Sequence, residues 1–335
     1  MTDTTPSTAE ATDQVSLRIA APEDAESVLS LVHESFGARP PVDPPAAALS
    51  DTVEDVLRAM ETGEVVLAEI GGVPAASLVV SDPVVDERGT RVAGLHRVSV
   101  RPAFRHHGAA AHIIRAGVLM AVDLGATHLE LLSRREFPET LRLWQSHGFT
   151  IDREVELGHV MRRELPVRVA VPDGATMQQL GRRLAGVLRA GDLVIASGGL
   201  GAGKTTLTQG LAEGLDVEGQ VISPSFVISR IHRARRGGPD LVHVDAYRLG
   251  SAAEVDDLDL DETMASSVTL VEWGAGVVEG LADSALRIDI QRSEDPDDET
   301  REVLVWGEGP RWTSTSLRDA LDAVDQREHT EESHD

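Results

Sequence analysis

The sequence contains no cysteine and few aromatic residues, and each shortage excludes a kind of site. Without cysteine the chain has no disulfide, no thiolate nucleophile and no cysteine-ligated zinc, which fits a reducing cytoplasm. Aromatic residues make up only 3% of the 335 residues, so aliphatic side chains must fill the core. Hydrophobic residues at 41% and charged residues at 26% are typical of a globular protein.

Positive charge and long apolar runs are also scarce. The chain has 31 Lys and Arg against 56 Asp and Glu, and a net charge of −25 disfavours non-specific binding to nucleic acid or to an anionic membrane. We therefore expect any RNA contact to go through a partner. No run approaches the ~18 apolar residues of a membrane helix, and residues 1–14 lack the features of a signal peptide. These absences predict a cytoplasmic protein with no membrane association.

The length predicts two domains, because 335 residues exceed the usual size of a single core. The polar residues 1–14 are expected to form a disordered tail. A first domain is expected over 15–165 and a second over 166–312, with the boundary at Pro166. Residues 313–335 are expected to form a C-terminal helix and an acidic tail. That helix either caps the second domain or docks a partner, and the sequence leaves both open.

The most specific motif is a phosphate-binding loop at residues 198–206, which read GGLGAGKTT directly after the apolar run 193–196. A strand that ends in such a loop and opens into a helix aims backbone N–H groups and a helix N-terminus at one point, where polyphosphate binds. In this motif the lysine reaches the β- and γ-phosphates and the following hydroxyl joins the Mg²⁺ shell. The predicted ATP-binding residues of the loop are Gly199, Leu200, Gly201, Ala202, Gly203, Lys204, Thr205 and Thr206.

Two carboxylates follow apolar strands in the same half of the chain. Asp245 comes after residues 241–244, and Glu272 comes after residues 268–271. The carboxyl ends of strands in an open α/β sheet share one crevice, so both carboxylates can converge on the phosphates. Phosphoryl transfer needs carboxylates that hold Mg²⁺ and position water or an acceptor. We therefore predict a metal-binding or catalytic role for at least one of the two carboxylates, and the candidate catalytic residues are Asp245, Lys204 and Glu272.

Four motifs in this order resemble the TsaE family, the small bacterial ATPases required to make N6-threonylcarbamoyladenosine in tRNA. They are residues 198–206, residues 223–226 (SPSF), residues 243–249 (HVDAYRL) and residues 271–273 (VEW). The resemblance covers about residues 166–310. It implies an ATP- and Mg²⁺-dependent hydrolase that acts with TsaB- and TsaD-type proteins and meets tRNA only indirectly.

The resemblance also implies roles for single residues. Thr205 and Glu272 would ligate Mg²⁺, Lys204 would hold phosphate, and Asp245 would be needed for hydrolysis. Ser225 would sense the γ-phosphate, and Trp273 would line the site. Thr176 would lie by the adenine, although a helix N-cap explains a threonine there equally well. The family commonly has Asp at position 199, Thr at position 225 and Pro at position 274, where this chain has Gly, Ser and Gly.

A second anion-binding pattern lies in the first half, where a strand, a proline turn and a small-residue loop precede a long helix. No lysine of the phosphate-loop kind is present, which favours a carrier such as coenzyme A over a phosphoryl donor. Residues 105–110 (RHHGAA) resemble the acyl-CoA loop of GNAT acetyltransferases, and residues 143–149 resemble their closing helix and turn. The predicted acetyl-CoA-binding residues are Val98, Val100, Arg105, His106, His107, Gly108, Ala109 and Ala110.

The sequence identifies the acid and base of acetyl transfer in this half less clearly than the coenzyme A loop. Many GNAT members use a tyrosine hydroxyl as general acid at the position of Trp144, and an indole cannot do this. The proton then comes from water or another residue, or the domain is slow or only binds coenzyme A. His96 and Glu69 are candidate bases, with His96 preferred because its ordinary pKa is near neutrality.

The sequence therefore predicts an α/β protein of two domains, a GNAT-like α+β acyltransferase fold followed by a P-loop NTPase α/β fold. The expected activities are ATP hydrolysis for tRNA modification and acetyl-CoA-dependent transfer to an acceptor amine of unknown identity. Two alternatives remain. One is a small-molecule kinase fused to a coenzyme A-binding module, and the other is a non-enzymatic sensor of nucleotide and coenzyme A.

Overall fold

A computed structural model describes residues 15–105, 108–224, 227–249, 254–255, 258, 260–293, 295, 298–313 and 315–322. The chain divides between Leu165 and Pro166 into two compact units, which we treat separately. The predicted tails, residues 1–14 and the end of the chain from 323, lie outside the described residues. None of the described helices has both the length and the apolar content needed to cross a bilayer.

The first unit is built on one mixed sheet. Its strands are β1 Val15–Ile19, β2 Gly63–Ile70, β3 Val73–Ser81, β4 Val84–Val85, β5 Arg91–Val100, β6 His128–Arg134, β7 Thr150–Val155 and β8 Gly158–Glu164. Its helices are α1 Ala25–Gly37, α2 Val53–Glu61, α3 Ala109–Asp123 and α4 Pro138–Ser146. The order is β1-β2-β3-β5-β6-β8-β7, with β4 beside β5. Strands β5 and β6 run parallel, whereas the other neighbours run antiparallel.

The two faces of this sheet carry different helices. Leu78 lies beside α3, because a Cβ added at Gly117 of that helix would come within 2.9 Å of its side chain. The next residue, Val79, packs with the cluster formed by α1 and α2. Successive side chains of a strand point to opposite faces. Helix α3 therefore covers one face of the sheet, and α1 and α2 cover the other.

The parallel pair β5–β6 separates part of the way along. The two strands pair over Val92–Gly94 and His128–Glu130, but β5 continues to Val100 and β6 to Arg134. Past Gly94 the pair therefore diverges toward its carboxyl edge. Helix α3 begins at that edge, directly after the loop that follows β5.

The second unit has a seven-stranded sheet. Its strands are β9 Val167–Val171, β10 Leu193–Gly198, β11 Ser229–His232, β12 Asp240–Asp245, β13 Ser267–Glu272, β14 Ala285–Arg292 and β15 Arg301–Glu308. Its helices are α5 Gly174–Ala185, α6 Lys204–Gly214, α7 Asp261–Met264 and α8 Leu317–Asp322. The order is β11-β12-β13-β10-β14-β15-β9, with a parallel centre from β12 to β14. The central strands are apolar runs buried on both faces, as parallel sheets require, and all six residues of β13 are buried.

Helices α5 and α6 approach closely because glycines face each other's backbone. A Cβ at Gly181 would lie 2.3 Å from the Leu207 carbonyl oxygen, and one at Gly210 would lie 1.9 Å from that of Gln178. This close packing places the start of α5 beside the start of α6. Helix α8 packs on the same unit, where Leu317 and Leu321 join its main core cluster.

The predicted fold class, an α+β unit followed by an α/β unit, is confirmed. Some elements differ from the sequence reading. The two apolar residues 221–222 would suit a strand, but they lie in a loop, and β11 begins only at Ser229, after Ile228 with φ +66°. Strand β9 was not expected, because Pro166 and Pro172 on either side of it look like a linker. It pairs antiparallel with β15 and so completes the sheet, with residues of alternating burial.

Candidate functional site

The phosphate loop joins β10 to α6 through glycines with positive φ. The values are +145° at Gly198, +72° at Gly201 and +112° at Gly203, a region that other residues rarely adopt. There is also no room for a side chain at Gly198, since a Cβ there would lie 2.5 Å from the Ile290 carbonyl oxygen. No atom of the described residues lies within 4 Å of a Cβ added at Gly199, so they leave room for the aspartate that the family commonly carries there.

Helix α6 starts at this loop and presents its N-terminus to it. The first N–H groups of an α-helix have no partner within the helix, and the helix dipole adds partial positive charge at the same point. Ala202 is buried under the loop, and Leu200 is 86% exposed. Thr206 lies in the first turn of α6. The loop therefore has the geometry that suits an anion, and Leu200 presents its backbone there rather than a packed side chain.

Lys204 is the buried cation of this site. Its side chain is almost fully buried, and Nζ donates to the carbonyl oxygens of Gly198 at 2.8 Å and Gly199 at 3.0 Å. Nζ also lies 3.8 Å from the centroid of the Trp273 ring. Burial lowers the pKa of the Lys204 ammonium, and the nearby carboxylates of Glu272 and Asp245 oppose that shift.

Thr205 and Glu272 meet directly. The Thr205 hydroxyl donates to Glu272 Oε1 at 3.0 Å, and the carboxylate ends β13 with 3% of the residue exposed. Within the described ranges no group of three or more His, Asp or Glu is placed to hold a metal ion. Mg²⁺ is commonly bound by one or two carboxylates together with substrate phosphates, so a hydroxyl beside one carboxylate fits this ion.

Asp245 lies next to Glu272 in the sheet. The two residues are register partners at the ends of β12 and β13. The Asp245 carboxylate accepts from the Ser223 hydroxyl at 3.2 Å and from the Tyr247 N–H at 3.1 Å. The two strand-end carboxylates therefore lie side by side in the sheet, and that of Glu272 contacts the phosphate loop through Thr205. Ser225 lies outside the described residues.

Aromatic and helical residues complete the rim. Trp273 has φ +63° and meets Tyr247 edge to face, with ring centroids 5.3 Å apart. Thr176 lies in the first turn of α5 and donates its N–H to Asp173 at 2.7 Å, so Asp173 is the N-cap and not Thr176. A Cβ at neighbouring Gly174 would lie 3.8 Å from the Thr206 methyl group, which places this turn next to the phosphate loop.

One residue of the site was not predicted. His243 is fully buried, and its Nε2 lies 2.8 Å from Glu272 Oε1. The sequence did carry a signal, because His243 stands two residues before Asp245 on one strand and so shares its face. Only the pairing of β12 with β13 shows that this face brings the imidazole to Glu272.

In the first unit, the loop after β5 also ends at a helix N-terminus. Val98 and Val100 lie on β5, and Arg105 donates to the Ser35 carbonyl oxygen at 3.4 Å. Gly108 caps α3 with φ +74°, and Ala109 and Ala110 begin the helix, with Ala109 buried. The small residues allow a close approach of an anion to the α3 N-terminus. His106 and His107 lie outside the described residues.

The residues weighed for acid–base chemistry lie in different places. Trp144 is buried and packs edge to face on Phe149 at 5.6 Å, which makes it a core residue. Glu69 pairs with Arg18 at 2.8 Å on the β1–β2 side of the sheet. His96 lies just past the point where β5 leaves β6, with its ring over Gly94, where a Cβ would come 2.2 Å from Nε2. Burial lowers the pKa of His96, and Arg97 adds to this.

Comparison with known proteins agrees with this geometry. The model of the family described as threonylcarbamoyl adenosine biosynthesis protein TsaE matches residues 171–303, and that of the acetyltransferase (GNAT) family matches residues 27–149. The tRNA threonylcarbamoyladenosine biosynthesis protein TsaE of Streptomyces coelicolor is 57% identical over 143 residues, 42% of this chain and 97% of that protein. Its Mycobacterium leprae counterpart is 50% identical over 120 residues, 34% of this chain and 74% of that protein.

For the first unit, one similar solved structure is the PaiA N-acetyltransferase of Thermoplasma acidophilum in complex with coenzyme A. It is 12% identical, with a TM-score of 0.39, and the match covers 45% of this chain and 99% of that one. Both resemblances stated from the motifs are confirmed by the two family models. The chain belongs to the TsaE family through its second unit, and it carries in its first unit a segment that matches the GNAT acetyltransferases.

Proposed function

We propose that the second unit, residues 166–312, is the ATPase of N6-threonylcarbamoyladenosine formation in tRNA and acts with TsaB- and TsaD-type proteins. The observation that carries this proposal is the convergence of Lys204, Thr205, Glu272 and Asp245 at one loop. A net charge of −25 gives the chain no basic footprint for RNA, so we assign the tRNA contact to the partners.

Each of these residues has a role in binding or hydrolysis. The α6 N-terminus and Lys204 bind the phosphates, and Lys204 leaves the Gly198 and Gly199 carbonyls to do so. Thr205 and Glu272 would hold Mg²⁺, which neutralises charge on the β- and γ-phosphates when bound. Asp245 orients the attacking water and is itself positioned by Ser223 and the Tyr247 N–H. Trp273 and the first turn of α5 line the nucleotide.

We propose that the first unit, residues 15–165, is an acetyl-CoA-dependent N-acetyltransferase. The α3 N-terminus would bind the pyrophosphate of the carrier, which supplies the acetyl group. His96 would accept the proton of the acceptor amine, since its lowered pKa keeps the imidazole neutral near pH 7. Trp144 donates no proton, so we assign protonation of the leaving thiolate to water.

The test of the ATPase uses the full chain with and without purified TsaB- and TsaD-type partners. We expect Mg²⁺-dependent ATP hydrolysis that rises with the partners and is lost in Lys204→Ala. Thr205→Val, which keeps shape but removes the hydroxyl, should raise the Mg²⁺ concentration needed for half-maximal rate. Phosphorylation of a metabolite without partners would instead support a kinase, and ATP binding without turnover under every condition would support a sensor.

A further inference from the structure

The first unit contains a cavity of about 350 Å³ between the α1–α2 layer and the sheet. This volume is at the lower end of the range for small-molecule sites. One side of the cavity is apolar and is formed by Val28, Val32, Val56, Ala59 and Val79. The strands β3 and β5 supply a polar side, which includes Ser77, Ser81 and His96. The cavity thus has an aliphatic wall that faces a few hydrogen-bonding groups.

One polar group in this wall has no partner. Ser77 is 1% exposed, and its Oγ finds no hydrogen-bond partner in the part of the chain that the structure describes. A buried hydroxyl without a partner is unfavourable. The pairing of β3 with β5 also shifts register between Ser77 and Val79, and such irregularities are common beside functional sites. Ser77 therefore offers an unused hydrogen bond to a molecule inside the cavity.

The carboxylates at the cavity are already engaged. Asp51 binds Arg97 through two hydrogen bonds, and Asp55 accepts from the Thr52 backbone N–H and from Arg58. An occupant is therefore not held as a cation by a free carboxylate. The lining strand β3 is paired on both sides, with β2 and with β5, so it offers no open edge to an extended peptide.

We propose that this cavity binds the acetyl acceptor, and that the acceptor is a small primary amine with a branched aliphatic body and one hydrogen-bonding group. The proposal deepens the acetyltransferase function proposed above and rests on it. The aliphatic body lies on the valine wall, the hydrogen-bonding group pairs with Ser77, and the amine faces His96 at the gap between β5 and β6. In the transfer the amine nitrogen bonds to the acetyl carbon, the carbon–sulfur bond breaks, and the amine proton passes to His96 while water protonates the thiolate.

The experiment measures acetyl transfer by the full-length chain as release of free thiol from acetyl-CoA. The chain has no cysteine, so a thiol reagent gives no background from the protein. The acceptors are 3-methylbutylamine, its hydroxylated analogue 4-amino-2-methylbutan-2-ol, spermidine and a Ser-Ala-Ala tripeptide. We expect kcat/KM for the two branched amines to exceed that for spermidine and the tripeptide by about 10-fold or more, the range that a misfit of one methylene produces.

Two variants locate the binding site. Ala59→Phe fills the cavity and should raise KM for both branched amines while KM for acetyl-CoA stays unchanged. Glu61→Phe adds the same bulk to an exposed position of α2 and should change neither value. Of the two branched amines, the hydroxylated one should have the lower KM, because its hydroxyl pairs with Ser77. Ser77→Ala should remove this difference and raise the melting temperature, because it removes the unpartnered hydroxyl.

Calorimetry with 3-methylbutylamine in the absence of acetyl-CoA separates this inference from the function on which it rests. Binding that Ala59→Phe abolishes supports the cavity as the acceptor site. Failure to bind acetyl-CoA would overturn the acetyltransferase itself. If acetyl-CoA binds, but the acetyl group goes to spermidine or the tripeptide, to no acceptor, or to the branched amines equally in Ala59→Phe, the cavity assignment alone is wrong.

Discussion

The ammonium of Lys204, the single lysine in 335 residues, lies 3.8 Å from the centroid of the Trp273 ring. In this position it also donates to two carbonyl oxygens of its own loop. The site thus holds its cation against an aromatic face, where the attraction to the ring contributes about 0.5–2 kcal/mol. The arrangement has a consequence that can be measured by fluorescence.

We expect the emission of Trp273 to change when MgATP binds, because Lys204 would leave the ring for the phosphates. The measurement is a fluorescence titration of the full chain, which has four tryptophans. In Trp273→Phe the nucleotide-dependent change should disappear, although the other tryptophans remain. An unchanged signal in that variant would show that the change arises elsewhere.

We expect His243→Asn to weaken Mg²⁺-supported nucleotide binding by about 10–100-fold, the usual effect of removing a group that orients a metal ligand. The His243 imidazole contacts Glu272 at 2.8 Å and touches neither the loop lysine nor Thr205 in the described hydrogen bonds. The readout is the apparent Kd for ATP at several Mg²⁺ concentrations. His232→Asn alters the neighbouring strand and serves as the control. An equal loss in both variants would indicate general destabilisation.

We expect Asp192→Ala to destabilise the second unit by about 3–5 kcal/mol, because it leaves a largely buried arginine without its partner. Asp192 is 4% exposed and accepts from Arg311 Nε at 2.9 Å and Nη2 at 3.0 Å. The measurement is urea unfolding followed by tryptophan emission. The double variant Asp192→Leu with Arg311→Met should lose less free energy of unfolding than Asp192→Ala. A larger loss in the double variant would contradict the assigned role of the Asp192–Arg311 pair.

We expect His232 to make the second unit less stable in mild acid. Burial is the main cause that lowers the pKa of this imidazole; the hydrogen bond with the Glu218 carbonyl oxygen opposes the shift, and His243 and Arg230 add to it. The unfolded chain then takes up the proton first. The contribution of the neutral His232 to the free energy of unfolding is fully present above the unfolded pKa of about 6.5, and it is lost as the pH falls below that value. Melting temperatures at pH 7.5 and 5.5 should differ less in His232→Gln than in the original chain, and equal differences would refute the assignment.

Much of the candidate nucleotide site in the second unit could be predicted from the sequence. The phosphate loop needs glycines at fixed offsets and one lysine, and a local pattern of this kind is legible without a structure. The carboxylates at 245 and 272 were also predictable, because apolar parallel strands end at a common edge. The approach of α5 to that loop was less evident, since it depends on glycines 181 and 210 meeting the backbone of the other helix.

Other features depend on contacts between residues that are far apart in the chain, so they could not be predicted from the sequence. The strand β9 looks like a linker until it pairs with β15, whereas the apolar residues 221–222 would suit a strand but pair with no strand in the described part of the chain. Glu69 resembles His96 in being an ionisable residue on a strand, but Arg18 from a neighbouring strand binds it. Long-range partners override local preference at these positions.

Residue types and spacing alone determined the α/β class and the glycine turns at which α6 and α3 begin, because each is a local property of consecutive residues. Only the tertiary structure decided that His243 contacts Glu272 and that Trp144 is a core residue. It also decided that Ser77 lines a cavity and that its hydroxyl has no hydrogen-bond partner among the described residues. These facts depend on which strands lie side by side and which helices cover them. Burial and pairing are properties of the packed chain, and no short segment contains them.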